Sequence, residues 1–410
     1  MRGRALVIGG SVGGLFAAGL LRRAGWDVTV FERSREDLAD RGAGIGTRPD
    51  LFATMAKIGI APDPSVGVAV TSRVCLDRAG AIIAERAVPA TNSAWDRVYR
   101  PLRDALPAEC YRAGMPLTAF EQDGDAVTAI FADGTRERGD ILIGADGFSS
   151  TVRQIVLPEL EPTYAGYVAW RGVAEESRLP PEVVTGLLQR FTFCLPPQEL
   201  FIALPMPDRE ARARAGQRRF NWVWFRLVEY SRELPLLCTD EEGRCHGTAI
   251  PPPLIRRAVV AEFREHAAQV LAPQLAQLVA ATRQPLLQPI FDLEVPRVAF
   301  DRVALLGDAA FVARPHVGTG VTKAAGDAEC LADALAAAPS VAAAVAEYDR
   351  ARTPFGRALV AHARELGAYL RQGAAAPDPR AVLREYGAAG SLAEAVFAAA
   401  MPPASSPPGA

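Results

Sequence analysis

The chain opens with a short continuous apolar run, Ala5–Ile8, which stops at Gly9-Gly10-Ser11-Val12-Gly13-Gly14. Beyond that turn the apolar positions take a helical spacing, with Leu15, Ala18 and Leu21 in register, ending near Gly25. Val28–Phe31 is a second strand and closes on Glu32-Arg33. Strand, glycine turn, helix and strand form a βαβ unit with an acid about 20 residues past the turn.

Further on, Val70–Arg86 alternates around Arg78-Ala79-Gly80 and predicts a β-hairpin, and a helix is expected near Arg97–Leu106. Short strands cover 115–140, with turns at Asp123-Gly124 and Asp133-Gly134, and Ile141–Ile143 runs into Gly144-Ala145-Asp146-Gly147. From Tyr164 to about Leu227 the chain is strand-rich and aromatic, and 254–282 is helical. Val303–Leu306 is a third strand of parallel type, followed by helices over 320–372. The tail from Ala374 is rich in alanine and proline, and Pro402–Ala410 are expected to be disordered.

This order predicts an α/β fold. A Rossmann-like nucleotide-binding domain (1–70, 87–160 and 285–372) carries an inserted antiparallel β-sheet domain (71–86 and 161–284), with C-terminal helices and a partly disordered tail, 373–410.

Glycines at Gly9, Gly10, Gly13 and Gly14 let backbone approach a pyrophosphate, and the helix that follows offers amides and the positive end of its dipole. Ser11 stands where a glycine is usual, which serine tolerates if its φ is negative. Glu32, with Arg33 beside it, is placed to meet ribose hydroxyls. The bland alternative is a glycine turn that holds no ligand. Far downstream lie Gly307-Asp308-Ala309-Ala310 and Pro315-His316-Val317-Gly318-Thr319-Gly320. An acid at a strand end suits a polyol hydroxyl, although a helix cap would use it too. FAD has a ribityl chain to hold at that distance and NAD has none, so the pair of segments points to a flavoprotein.

The composition narrows the classes. At 410 residues, 50% apolar and with a formal charge of −2, the chain is sized for roughly two or three domains and gives no electrostatic case for nucleic acid or stable membrane association. Lysine occurs only at Lys57 and Lys323. Arg212, Arg214, Arg218 and Arg219 form a basic run, either a solvated loop or a partner site. The six cysteines are scattered without a metal-binding spacing, which suits free thiols in a reducing cytosol. No signal peptide is recognisable and no apolar stretch reaches ~18 residues, so a soluble, cytoplasmic protein is expected.

Three motifs in this order resemble the group A flavoprotein aromatic hydroxylases, the para-hydroxybenzoate hydroxylase-like family. They are the Gly9–Gly14 turn with Glu32, the segment Asp146-Gly147-x-x-Ser150-x-x-Arg153, and Gly307-Asp308. A closer resemblance is to the 2,6-dihydroxypyridine 3-monooxygenase branch, through Glu161–Gly172, Arg314-Pro315-His316 and Gly320-x-x-Lys323; that branch shares Ser11. Two positions depart from the family: Phe311 replaces a common histidine, and Tyr99 stands where many members place an arginine that contacts FAD, a role for which Arg100 or Arg103 is the candidate substitute.

The resemblance implies FAD as cofactor, NADH or NADPH as transient reductant, and O₂ activated as a flavin C4a-hydroperoxide that attacks a small aromatic or N-heteroaromatic ring bearing a hydroxyl or amino group. It implies no metal, and a monomer or homodimer is expected. Asp308 takes the ribityl hydroxyl, and the amides of Gly318, Thr319, Gly320 and Val321 lie beside the flavin. Asp146 and Arg153 support FAD, or are simply a salt bridge. Pro315 is expected to turn a free carbonyl to the reaction site. His316 is either a base or hydrogen-bonding partner for substrate, or an anchor for its loop. Tyr164, Trp222 and Arg314 are the substrate candidates, against the plainer reading of alternating aromatics as core. The competing activity is a flavin oxidase or dehydrogenase that abstracts hydride without NAD(P)H.

Overall fold

The computed structural model describes residues 2–39, 44–47, 49–61, 67–208 and 216–386. The βαβ unit and the later apolar runs meet in a six-stranded sheet. Its order is β16 (Ala299–Phe300), β17 (Val303–Leu305), β10 (Ile141–Gly144), β1 (Arg4–Ile8), β2 (Asp27–Glu32) and β6 (Tyr111–Ala113). All neighbours are parallel except β16 and β17. Ala5, Leu6 and Val7 are all fully buried, which requires cover on both faces. Val7 faces the helix α1 (Val12–Arg23) across Gly14, while Leu6 faces Gly139. Gly139 ends the three-stranded antiparallel meander β7 (Leu117–Gln122), β8 (Val127–Phe131) and β9 (Arg136–Gly139).

The inserted sheet has nine strands in the order β18 (Phe311–Val312), β15 (Leu286–Glu294), β11 (Thr163–Glu175), β14 (Arg219–Leu227), β13 (Leu200–Met206), β12 (Arg190–Cys194), β4 (Val68–Leu76), β5 (Ile82–Ala94) and β3 (Gly44–Thr47). Only β12 and β4 pair in parallel. It is wider than expected. The hairpin extends beyond 70–86 on both sides, and β15 pairs with β11 rather than belonging to the nucleotide-binding part.

The expected helix over 254–282 is two helices, α7 (Arg257–Val270) and α8 (Pro273–Ala281); Pro273, the first residue of α8, forces Ala272 into extended backbone. The C-terminal pair is α9 (Gly320–Ala337) and α10 (Val341–Leu366). The shorter helices are α2 (Pro49–Ile58), α3 (Asp96–Asp104), α4 (Thr151–Val156), α5 (Pro181–Leu187) and α6 (Glu233–Leu237).

The two faces of the large sheet carry different clusters. Val168, Trp170, Trp222 and Trp224 pack with Phe263, Leu275 and Leu278 of α7 and α8, forming the outer face. Tyr167, Ala169, Phe193, Ile202 and Phe225 form the inner face. Leu370, Val382 and Leu383 pack on that inner face too, so the C-terminal segment is docked through residues 379–386, which are helical. The expectation of a loose tail from 373 is corrected to that extent, because Val382, Leu383 and Tyr386 share one apolar side; Pro402–Ala410 lie outside the described residues.

Of the basic run, Arg218 pairs with Glu176 at 2.6 Å and Arg219 donates to the Pro207 carbonyl at 3.0 Å, while Arg212 and Arg214 are outside the described residues. Among the described residues no helix is long and apolar enough to cross a membrane.

Candidate active site

The N-terminal turn is built from close contacts. Gly9 has φ 111°, and a Cβ there would lie 2.4 Å from the Ala145 carbonyl oxygen. A Cβ on Gly14 would lie 1.9 Å from the Gly9 oxygen, so only glycine lets α1 start this close to the turn. Ser11 caps α1 with φ −84°, the negative value that makes serine acceptable, and its side chain makes no cap bond. The first intrahelical donor is Leu15, which bonds the Ser11 oxygen at 3.0 Å, leaving the preceding amides directed outward.

Glu32, 6% exposed, accepts from Gly10 N at 2.7 Å and Ser34 N at 2.8 Å, while Arg33 is exposed. Arg103 lies over the Tyr111 ring at 4.1 Å, and a Cβ on Gly10 would come within 2.3 Å of the Tyr111 hydroxyl. Tyr99 is buried, stacks on Trp95 at 4.8 Å and hydrogen-bonds Tyr111. Arg103 therefore meets the turn through Tyr111 rather than directly. Nothing in the local sequence marks Tyr111, because only the pairing of β6 with β2 brings it there.

Asp146 and Arg153 do not form the salt bridge considered above. Asp146 accepts from Ser150 Oγ and from Val152 N at 3.1 Å, and so caps α4. Arg153, 2% exposed, donates to the Ala309 carbonyl at 3.2 Å and to the Phe148 carbonyl at 2.5 Å. It thereby ties the Asp146 segment to the Gly307–Ala309 turn.

That distal turn is held from below. Gly307 (φ 62°) donates to Asp327 Oδ2 at 2.9 Å, Asp327 bonds Arg352 Nε at 2.7 Å, and Lys323 Nζ bonds the Phe311 carbonyl at 2.9 Å. The Asp308 side chain remains 55% exposed, 3.8 Å from Lys323 Nζ, and caps no helix. The two distant segments meet here: a Cβ on Gly13 would lie 3.0 Å from Leu306 Cδ1 and 3.5 Å from Ala324 Cβ.

Beside this turn, Pro315–Val317 form a single 3-10 turn that ends at Gly318 with φ 62°. Thr319 precedes α9, and its Oγ1 is buried without a hydrogen-bond partner among the described residues. Nothing lies within 4 Å of a Cβ position on Gly318 or Gly320. Two helix N-termini, an exposed strand-end acid, an orphaned buried hydroxyl and open space at two glycines fit a bound dinucleotide, FAD included. Glu32 and the amides of α1 would hold its adenosine and pyrophosphate end; Asp308 and the amides from Gly318 to Val321 would hold the other.

The substrate candidates are redistributed. His316 is 2% exposed, with Nε2 2.7 Å from the Tyr167 hydroxyl and Nδ1 2.8 Å from the Tyr386 hydroxyl. Burial, then the charge of Arg314, pushes its pKa from 6.5 down to about 3, so the ring is neutral and one hydroxyl donates while the other accepts. Both ring nitrogens are occupied. Direct proton abstraction from substrate is thus corrected to loop anchoring, with exchange only through a tyrosine hydroxyl.

The Pro315 carbonyl is not free either, since it accepts from Gly318 N at 3.0 Å. Arg314 is bidentate on buried Asp292, at 2.9 and 2.8 Å, and lies over the Tyr167 ring at 5.5 Å. Trp222 is fully buried on the outer face with Nε1 bonded to Thr282 at 2.9 Å, so its assignment to substrate is corrected to core. Tyr164 packs with Tyr230 and Phe291, and its hydroxyl bonds the Val228 carbonyl at 2.9 Å. Its neighbour Tyr167 is the tyrosine of this strand that reaches the Arg314–Gly318 turn.

The FAD binding domain family matches residues 3–224 and 287–363, and an FAD binding domain-like profile matches 164–292. The chain belongs to this family, and it is an FAD-dependent aromatic monooxygenase. It is 32% identical over 379 residues to the 2,6-dihydroxypyridine 3-monooxygenase of Paenarthrobacter nicotinovorans, covering 90% of this chain and 92% of that one. A solved structure of 2,6-dihydroxypyridine-3-hydroxylase from Arthrobacter nicotinovorans superposes with a TM-score of 0.85 at 29% identity, covering 92% of this chain and 98% of the other. A 3-amino-4-hydroxybenzoate 2-monooxygenase of Streptomyces platensis is 29% identical over 380 residues, covering 89% and 88%.

The weight carried by Asp308 is measurable. Asp308→Ala is expected to fold normally and to bind FAD about 10- to 100-fold more weakly, as loss of a charged hydrogen bond implies. Flavin fluorescence titration of the apoprotein checks this, and unchanged affinity removes Asp308 from the ribityl site.

Proposed function

We propose that the enzyme hydroxylates a small hydroxylated N-heteroaromatic ring of the dihydroxypyridine type, with NADH or NADPH as transient reductant and O₂ as oxygen source. The observation that carries this reading is the aromatic inner face of Tyr167, Phe193 and Phe225 beneath the Arg314–Gly318 turn. Similarity to the dihydroxypyridine 3-monooxygenase supports the choice of ring.

Bound FAD supplies hydride acceptance and O₂ activation. The protein's own part is binding, orientation and charge. The N-terminus of α9 stabilises negative charge beside Gly318–Val321. Arg314, fixed by Asp292, holds the Tyr167 ring in place. Tyr167 Oη shares a proton with His316 Nε2, whose other nitrogen is pinned by Tyr386.

The test is NAD(P)H oxidation, O₂ uptake and product mass with 2,6-dihydroxypyridine, other hydroxypyridines and 3-amino-4-hydroxybenzoate. Dihydroxypyridine should accelerate NAD(P)H oxidation and gain one oxygen from O₂. If no ring accelerates flavin reduction, the reading falls.

A further inference from the structure

The arginines buried around the site have acceptors: Arg153 has carbonyls, Arg314 has Asp292 and Arg352 has Asp327. Arg171 on β11 differs. Strand register sets it opposite Val223, with Ile202, Phe193 and Cys75 continuing the same row across β13, β12 and β4. Phe193, Ile202 and Cys75 are members of the inner-face cluster and Val223 packs against it. Arg171 therefore projects from the inner face, two residues beyond Ala169 and four beyond Tyr167, as the two-residue period of a strand requires.

Its guanidinium stands in an apolar row. The Nε is closed to solvent and has no acceptor among the described residues. Burial alone lowers its pKa, and no acid offsets the effect. On its other side the paired residue Leu286 of β15 is 39% exposed, so this end of the inner face opens to solvent. The Arg171 side chain as a whole is half-buried, and Nε is its one nitrogen both closed to solvent and unbonded, so an anionic acceptor arriving from the open end would complete its hydrogen bonding. Its planar fork matches a carboxylate or a ring oxyanion.

We propose that Arg171 binds an anionic oxygen on the substrate ring, either a carboxylate or an ionised ring hydroxyl. This rests on the aromatic-hydroxylase reading above and narrows its substrates to rings that carry a planar anionic oxygen. Arg171 grips one edge of the ring at the end of the inner face that opens to solvent beside Leu286, and so fixes its orientation.

Binding is measured without turnover, by calorimetry on the FAD-loaded enzyme with no NAD(P)H. The ligands are 3-amino-4-hydroxybenzoate against 2-aminophenol, which lacks the carboxylate, and 2,6-dihydroxypyridine above and below its hydroxyl ionisation. The wild type is expected to prefer the anionic member of at least one pair by about 10- to 100-fold. The pair that shows it tells carboxylate from ring oxyanion. Arg171→Gln should abolish that preference and leave the neutral ligand's affinity nearly unchanged, with Arg171→Lys between the two.

Thermal melting of the ligand-free proteins gives the second measurement. Arg171→Met should melt at or above the wild type, since it removes a half-buried charge that has no acceptor among the described residues; a clear fall marks a structural guanidinium and overturns the proposal. Retained anion preference in Arg171→Gln overturns it while leaving the hydroxylase reading intact. Failure of the wild type to bind any of these rings overturns both.

Discussion

Asp327→Ala is expected to lose about 3–5 kcal/mol of stability and to purify largely without flavin. The side chain is 4% exposed and faces two cations that are equally buried, Arg352 at 2% and Lys323 at 4%. It bonds Arg352 Nε at 2.7 Å and stands 3.8 Å from Lys323 Nζ. Oδ2, the oxygen that faces Lys323, accepts the Gly307 amide at 2.9 Å. Alanine removes the carboxylate both cations face and frees the turn that presents Asp308. Removing one partner of a buried charged cluster costs more than the cluster contributes, because the remaining charges stay desolvated. Asp327→Asn keeps the volume and one acceptor, so an intermediate loss is expected. Urea unfolding and the ratio of flavin to protein absorbance check both effects. A fully stable, yellow Asp327→Ala would mean that the turn is held by other contacts.

That cluster also shows how far the sequence can be read. Gly9, Gly14, Glu32 and Gly307 were legible because each meets a local backbone demand: a positive φ, a close approach, or an acid at a strand end. Asp327 and Arg352 were not, since nothing local distinguishes a buried acid on α9 from an exposed one. The alternation of Trp222 and Trp224 correctly put both on one face, but α7 and α8 decide that this face is the outer one. That Tyr167, rather than Tyr164, reaches the Arg314–Gly318 turn was hidden for a related reason. Pairing with β15 shifts register between Tyr164 and Val168, and Gly166 has φ 90°, so counting along the strand from Tyr164 does not give its inner face. Tyr386 lies 70 residues from His316, in a tail whose composition suggested disorder. The fold class followed from periodicity, whereas the side chains around His316 depend on which segments dock.

His316→Gln is expected to flatten the acid side of the stability profile, because the native ring is neutral where an unfolded one is charged. Its folded pKa is about 3 against an ordinary 6.5, with burial as the main cause and Arg314 the second. Between those values the unfolded chain binds a proton that the folded chain refuses, so stability falls as pH drops through that window. Above 6.5 both states are neutral and the residue contributes no pH dependence. The loss approaches about 1.4 kcal/mol for each pH unit of the window. Glutamine offers one donor and one acceptor to Tyr167 and Tyr386, so the neutral-pH fold should survive and the flavin should stay bound. Urea midpoints of the two proteins at pH 7, 5.5 and 4.5 isolate this residue from His246, His266 and His362, which are common to both. Wild type should weaken faster than the variant as the pH falls. Parallel profiles would show that His316 takes up its proton in the folded state, and the neutral bridge between two tyrosines would have to be abandoned. A variant with the flatter profile, bound flavin and intact ring binding would place His316 as a positioning residue that acts through Tyr167.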